Sequence, residues 1–247
     1  MPANNLHISW VQKGRCILFK VCVVLSVLAW APIFLIGSLF GYHATYRLAL
    51  VWLRFHYCLV RRLLGLSFSV HGQEHLPQGP VVVLSKHQSA LETLTFQLFM
   101  PRQTWVIKRE LLGIPVFGWC LKRLRPIHID RASAASALKD VLRQGADHLI
   151  QGTWVIIFPE GTRVEPGKSK PYFKGGALLA KRARVPVVPI AHNTGEYWLN
   201  DSPWVRAGRC EVRIGEPIDT TALSPAEINQ RAQDWIEGSM DEISEFR

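Results

Sequence analysis

Residues 21–40 form an apolar run of 20 residues without a single charge. Coiled as a helix at about 1.5 Å per residue, a run of that length matches the hydrocarbon thickness of a bilayer. Pro32 and Gly37 interrupt it, so the run is open to two readings, a span or a bend that returns to the same side. Basic residues stand on both flanks (Lys13, Arg15 and Lys20 before, Arg47 after), so the positive-inside rule selects no orientation and a monotopic hairpin is as economical as a span. In the following segment, residues 42–64, Arg47, Arg54 and Arg61 recur every seventh position. That spacing keeps them on one helical stripe, with Leu48, Val51, Trp52, Phe55, Leu59 and Leu63 filling the rest. This predicts a helix lying in the membrane interface. Ala29-Trp30-Ala31 formally matches a signal-peptide cleavage pattern. Pro32 follows at once and the apolar run continues beyond it, so residues 1–65 are read as a retained, membrane-anchoring helical hairpin.

The formal net charge of +10 invites a nucleic-acid reading until its distribution is considered. No acidic residue precedes Glu74. Seven of the 29 basic residues lie before it, which leaves 22 basic against 19 acidic residues in the remainder. Positive charge interleaved with apolar runs suits an anionic lipid surface, where each basic side chain near the headgroups contributes about 1 kcal/mol. The expected partner is therefore membrane lipid and not nucleic acid. The five cysteines show no C-x-x-C pair and no zinc-type spacing, so neither a metal site nor a disulfide framework is expected.

Beyond residue 70 the pattern changes to short apolar runs separated by helical stretches, which predicts an α/β domain over residues 66–247 with a mostly parallel sheet flanked by helices. The runs place strands at 80–84, 104–107, 126–129, 153–158, 185–191 and 210–214, and helices at 89–100, 133–145 and 176–182. Pro186 and Pro189 cannot donate ladder hydrogen bonds, so the fifth of these strands is expected at an edge or irregular. Ser224-Pro225-Ala226-Glu227 combines an N-cap, an N1 proline and an N3 glutamate. A final amphipathic helix should start there and present Ile228, Trp235, Ile236 and Ile243. Residues 163–176, with Lys168, Lys170 and Lys174, read as a mobile polar loop.

Four of the strands run straight into polar groups: Ser85-Lys86-His87, Lys108, Asp130-Arg131 and Pro159-Glu160-Gly161-Thr162-Arg163. Ligands of open α/β sheets bind beyond the carboxyl ends of the strands, so these groups are expected in one cleft suited to a phosphorylated, hydroxyl-bearing substrate. His87-Gln88-Ser89-Ala90-Leu91-Glu92 sets an imidazole just before a helix and a carboxylate one turn inside it. A histidine oriented by a carboxylate can take a proton from an attacking alcohol. Ser89-x-x-Glu92 is also a capping box, in which Glu92 bonds the helix N-terminus; spacing leaves both roles open. His43, His56, His71, His75, His128, His148 and His192 have no comparable partner spacing and read as surface or packing residues.

Taken together, Lys86-His87-Gln88-Ser89 through Glu92, Ile129-Asp130-Arg131, Phe158-Pro159-Glu160-Gly161-Thr162-Arg163 and Val185-Pro186-Val187-Val188-Pro189 resemble, in order and spacing, the motifs of the 1-acylglycerol-3-phosphate acyltransferase family, bacterial type. The resemblance covers roughly residues 66–214. The family's usual acid in the first motif is Asp, and Glu92 stands there in this chain. The resemblance implies that His87 is a general base oriented by Glu92, and that Arg131, Glu160, Gly161, Thr162 and Arg163 bind the glycerol phosphate. Lys108 opens a segment, residues 108–119, similar to one associated with substrate and acyl-chain binding.

The implied activity is transfer of a fatty acyl group from acyl-CoA or acyl carrier protein to the sn-2 hydroxyl of 1-acylglycerol 3-phosphate, forming phosphatidic acid for phospholipid synthesis. The thioester is a co-substrate and no cofactor is expected. No Gly-x-Ser-x-Gly elbow is present and no cysteine sits in the motifs, so direct transfer without a covalent acyl-enzyme is expected. The location this implies is a membrane, the bacterial inner membrane with the site on its cytoplasmic side. The competing readings are acylation of glycerol 3-phosphate or of another lysolipid such as a lyso-ornithine lipid, a thioesterase, and a non-catalytic membrane lipid-binding protein.

Overall fold

The structure is a computed structural model that describes residues 8–130, 133–200 and 202–246. The apolar run lies within one helix, α1 (Trp10–Gly37), capped by the Ser9 hydroxyl on Gln12 N at 3.2 Å. Pro32 lies inside this helix without ending it. A single 3₁₀ turn (Ser38–Phe40) and Gly41 then reverse the chain into α2 (Tyr42–Arg62), which packs back along α1. At about 1.5 Å per residue, the 28 residues of α1 extend about 42 Å, enough to cross a bilayer. Val24, Leu25, Leu28, Ile33 and Ile36 leave an apolar face exposed on it. Arg47, Arg54 and Arg61 stand exposed on α2, while Tyr46, Ala49, Leu53 and Val60 are buried.

The base of the hairpin is part of a core and not only an anchor. Cys16 and Phe19 of α1 and Val60 of α2 are buried with Leu64, Leu66, Val205 and Cys210. The Gln12 amide donates to both Leu64 O and Val205 O at 3.0 Å, tying the first helix to the far end of the sequence.

Seven strands follow among the described residues: β1 (Leu66–His71), β2 (Val82–Ser85), β3 (Gln103–Lys108), β4 (Ile127–Ile129), β5 (Trp154–Ile157), β6 (Val187–His192) and β7 (Gly208–Ile214). They form one sheet in the order β1-β7-β6-β2-β5-β3-β4, parallel throughout except for the β6–β7 pair. β1 is absent from the sequence reading. Its Leu-Ser-Phe-Ser-Val-His alternates apolar and polar residues, the pattern of a half-exposed edge strand, and a search for continuous apolar runs passes over it.

β6 is a central, wholly buried strand, contrary to the edge position expected from its prolines. Pro186 lies outside the strand and still accepts from Val82 N at 3.2 Å. Pro189 accepts from Gly215 N at 2.9 Å just past the last β6–β7 pair, Ile190 with Ile214, so its missing N–H falls where that ladder has ended.

The two faces of the sheet are covered differently. Helices α5 (Ala134–Ile150), α6 (Gly175–Ala183) and α7 (Pro225–Ile243) cover one face, packing Val141, Leu179, Ile228 and Ile236 on Val82, Leu84, Val155 and Val187. α7 starts with the Ser224 to Glu227 capping box that the sequence predicts. The opposite face, with Val81, Val83, Ile156 and Val188, lies under Phe96 and Met100. These follow α3 (Leu91–Thr95), which is shorter than expected because it tightens into a 3₁₀ turn at Phe96–Leu98. α5 runs past Gly145, where the sequence reading ended it. A Cβ at Gly145 would stand 2.5 Å from a Leu179 methyl, so this glycine serves the close approach of α5 and α6 and is not a helix stop. A short helix, α4 (Phe117–Arg123), packs against α1.

Candidate active site

β2 and β5 are adjacent and parallel, so the segments after them emerge side by side at the carboxyl edge of the sheet. His87 belongs to the first segment and is held at several points. Its backbone N–H donates to Glu160 Oε1 at 3.3 Å, its carbonyl accepts from Val164 N at 2.7 Å, and its ring stacks on Phe158 with centroids 4.0 Å apart. Nδ1 lies 2.8 Å from Glu92 Oε1, and the side chain keeps 15% of its surface exposed. With Nδ1 engaged by the carboxylate, Nε2 is the nitrogen left for a ligand.

Glu92 fills both of the roles that its spacing allowed. Its Oε1 accepts from His87 Nδ1, from Gln88 N at 3.0 Å and from Ser89 N at 2.9 Å; Oε2 accepts from Ser89 N at 3.1 Å and from the Thr194 hydroxyl at 2.9 Å. The other half of the capping box is not formed, because Ser89 Oγ instead accepts from Leu91 N at 3.3 Å. Burial by itself would raise the Glu92 carboxyl. The His87 hydrogen bond, the neighbouring His192 and His87 imidazoles and the Ser89 N–H outweigh burial and bring it down to about 2. Glu92 is therefore a fixed anion that orients the imidazole.

Glu160, in the segment after β5, is also buried, and its contacts are internal: His87 N and, at 3.8 Å, Lys86 Nζ. Among the described residues its Oε2 has no hydrogen-bond partner. Burial pushes the Glu160 carboxyl up to about 7, with the Lys86 charge opposing. Lys86 itself is buried and donates to both oxygens of Glu237 on α7, at 2.8 and 2.9 Å, and to Lys168 O. The Tyr172 hydroxyl donates to the same Glu237 at 2.8 Å. The segment expected as a mobile loop is thus anchored: Phe173 N bonds Pro159 O, Tyr172 O accepts from Asn229 on α7, and Val164 and Tyr172 are buried. Composition gives no hint of these anchors.

Of the other expected binding residues, Gly161 turns the chain at φ +68, and a Cβ there would meet the Phe173 ring at 2.9 Å. Thr162 and Arg163 follow it, both exposed, with the Arg163 guanidinium donating to Asn200 Oδ1 at 2.6 Å. Lys108 is exposed at the end of β3, two strands from β2 at about 4.8 Å per strand. Arg131 lies outside the described residues.

Two buried residues stand at this edge beyond those the sequence singles out, Thr194 and His192, the second of them expected at the surface or in packing. They end and follow β6, directly after the proline-containing strand. Extending the strand-end rule to that strand would have found them.

The acyltransferase family model matches residues 67–193, which contain both His87 and Glu160. The chain is 41% identical to the 1-acyl-sn-glycerol-3-phosphate acyltransferase of Pseudomonas aeruginosa, over 96% of this chain and 94% of that one. It is 33% identical to the Bos taurus 1-acyl-sn-glycerol-3-phosphate acyltransferase alpha, over 68% of this chain and 60% of that one. Its fold superposes on the crystal structure of the 1-acyl-sn-glycerophosphate acyltransferase of Thermotoga maritima with a TM-score of 0.79, covering 94% and 95% of the two chains at 20% identity. A histidine held by a buried carboxylate at a strand end, the family model around it and a relative matched nearly end to end agree with one another: this chain is an acyltransferase and belongs to the 1-acylglycerol-3-phosphate acyltransferase family.

Proposed function

We propose that this enzyme moves a fatty acyl group from a thioester, acyl-CoA or acyl carrier protein, to the sn-2 hydroxyl of 1-acylglycerol 3-phosphate, with His87 as general base. The observation that carries the proposal is the 2.8 Å bond between His87 Nδ1 and a Glu92 carboxylate that stays ionised. Nε2 takes the hydroxyl proton as that oxygen attacks the thioester carbonyl. The tetrahedral intermediate then collapses, breaking the carbon–sulfur bond, and the leaving thiolate recovers the proton from His87. Glu92 steadies the imidazolium that forms between the two steps without itself accepting a proton.

Arg163, Thr162, Lys108 and Arg131 are assigned to the phosphate, guanidinium being suited to it by its planar pair of donors. Glu160 and Gly161 shape that side: Glu160 through the His87 backbone, Gly161 through its turn. For the acyl chain, an apolar groove lies between the hairpin and α4, lined by Val27, Trp30, Phe34, Trp52, Phe117 and Leu121. The hairpin's exposed apolar face would rest in the membrane, in this reading the inner membrane with the site on its cytoplasmic side.

Purified protein incubated with labelled acyl-CoA or acyl carrier protein and a panel of acceptors tests the reading. Phosphatidic acid formed from 1-acylglycerol 3-phosphate is the expected product. Labelled free acid alone would make the protein a thioesterase, and preferred acylation of glycerol 3-phosphate or a lyso-ornithine lipid would reassign the acceptor.

A further inference from the structure

On the side of Glu92 away from His87, the end of β6 supplies two residues that the proposed chemistry does not use. His192 and Thr194 are both completely buried. His192 Nε2 lies 2.7 Å from the carbonyl oxygen of Lys86, which has no hydrogen to give, so Nε2 carries the proton and donates it. Burial lowers the pKa of His192, favouring the neutral ring, and Nδ1 is then an acceptor. Thr194 Oγ1 stands between two acceptors, 2.9 Å from Glu92 Oε2 and 3.1 Å from His192 Nδ1. A hydroxyl has one hydrogen, so the two acceptors share it.

We propose that Thr194 and His192 are positioning residues for the His87–Glu92 pair, the shared Thr194 hydroxyl setting how firmly Glu92 holds the proton that His87 takes from substrate. Every hydrogen bond donated to a carboxylate reduces its pull on a neighbouring imidazolium. Drawing the Thr194 hydrogen toward His192 strengthens Glu92 as a partner; releasing it to Glu92 weakens it. Among the described residues, Lys86, His87 and Glu92 are the charged or titratable groups that act on His192, with Phe96 edge-on to its ring. The Cys210 thiol of β7 also faces Glu92, and burial pushes it far up, so it stays protonated. The proposal rests on the reading of His87 as the base.

The test is the acid limb of the kcat/KM against pH profile, which reports His87 in the free enzyme under that reading. Thr194→Val keeps the shape and removes the donor, so Glu92 binds the imidazolium more tightly and the limb should move up by about half a pH unit; the same change removes a hydrogen bond that holds Glu92 in place, and with the pair less firmly positioned kcat should fall about tenfold. Thr194→Ser should restore most of that rate. His192→Gln retains a donor for the Lys86 carbonyl but has no acceptor in the Nδ1 position, which frees the hydroxyl for Glu92, and the limb should move down. Opposite shifts are not expected of residues that merely fill space. If Thr194→Val does not melt cooperatively, the downward shift in His192→Gln decides alone. Unshifted limbs, shifts in one direction, or a loss in Thr194→Val that serine does not restore would overturn the proposal. His87→Ala separates it from the reading beneath: turnover retained there removes His87 as the base, whereas an inactive His87→Ala beside unshifted limbs removes only Thr194 and His192.

Discussion

Two glutamates flank His87, both buried, and their surroundings drive them in opposite directions. Glu92, at the start of α3, collects two backbone N–H groups, an imidazole and a hydroxyl on its two oxygens, and its carboxyl falls to about 2. Among the described residues Glu160, in the segment after β5, has a hydrogen bond from the His87 backbone, a lysine at 3.8 Å already held by Glu237, and an oxygen with no partner; its carboxyl rises to about 7. Burial is common to both, so it does not set their charge. The number of donors does. The outcome is a division of labour in which one carboxylate orients the imidazole ring and the other holds its backbone, titrating close to neutrality.

The largest effect expected from breaking this contrast is at Glu92. His87→Ala and Glu92→Gln should each lower kcat by about 10²–10⁴-fold. Glutamine offers one acceptor oxygen to a site with donors on both oxygens, so its amide N–H₂ must face a donor. Glu92→Gln should therefore also lose about 1–3 kcal/mol of stability, read as a lower thermal midpoint. Glu92→Asp, which keeps the charge on a shorter arm, should retain part of both. A Glu92→Gln enzyme with normal kcat would leave the glutamate as a helix cap alone.

Next in size is the opposite pH dependence of the two acids. Glu160 binds its proton more tightly folded than unfolded, so its contribution to stability is fully present below about 4.5 and is lost as pH rises toward about 7. Glu92 behaves inversely: its contribution is present above about 4.5 and is lost as pH falls toward about 2. A change of about 2.5 units at Glu160 corresponds to about 3 kcal/mol at most. Thermal midpoints measured from pH 4 to pH 8 should show Glu160→Gln gaining on the wild type across this window. A constant offset between the two would mean that Glu160 holds its proton no more tightly in the folded protein than in the unfolded chain.

The smallest effect is expected three residues beyond Glu160, at the exposed Arg163. A charge-assisted hydrogen bond to phosphate is worth about 1.5–3 kcal/mol, so Arg163→Ala should lower kcat/KM by about 10–150-fold. Among the described residues its guanidinium donates to Asn200, on the surface, and the thermal midpoint should hardly move. Wild-type kinetics in this variant would take Arg163 out of the phosphate site.

Local patterns made much of this protein legible in its sequence. The length and apolarity of residues 21–40, the seven-residue arginine stripe, the Ser224 capping box and the short apolar runs each state a preference that neighbours within one or two turns are enough to express. The strand-end rule likewise brings His87 and the residues after β5 to one edge of the sheet, with Glu92 set beside His87 by its spacing, and carried to the end of β6 it reaches Thr194. It could not tell that Glu160 turns inward while Arg163 stays out, because the direction of each side chain follows from Gly161, Phe173 and Lys86 packing around the turn.

Other features depended on partners distant in sequence. The proline-bearing β6 became a central strand because the β6–β7 ladder stops before Pro189, and residues 163–176 became an anchored segment because Glu237 and Asn229 of α7 reach Lys86 and Tyr172. Whether a buried carboxyl holds a charge was likewise out of reach of spacing. Thr194 lies 102 positions from Glu92, and no local pattern reports a hydrogen bond across that separation. Which elements form, and which chemical groups stand at their ends, follows from short-range propensity and hydrophobic period, and both are written in the chain. Which groups are paired, buried or left open emerges only once the chain is folded, because desolvation and hydrogen bonding depend on everything that closes around an atom.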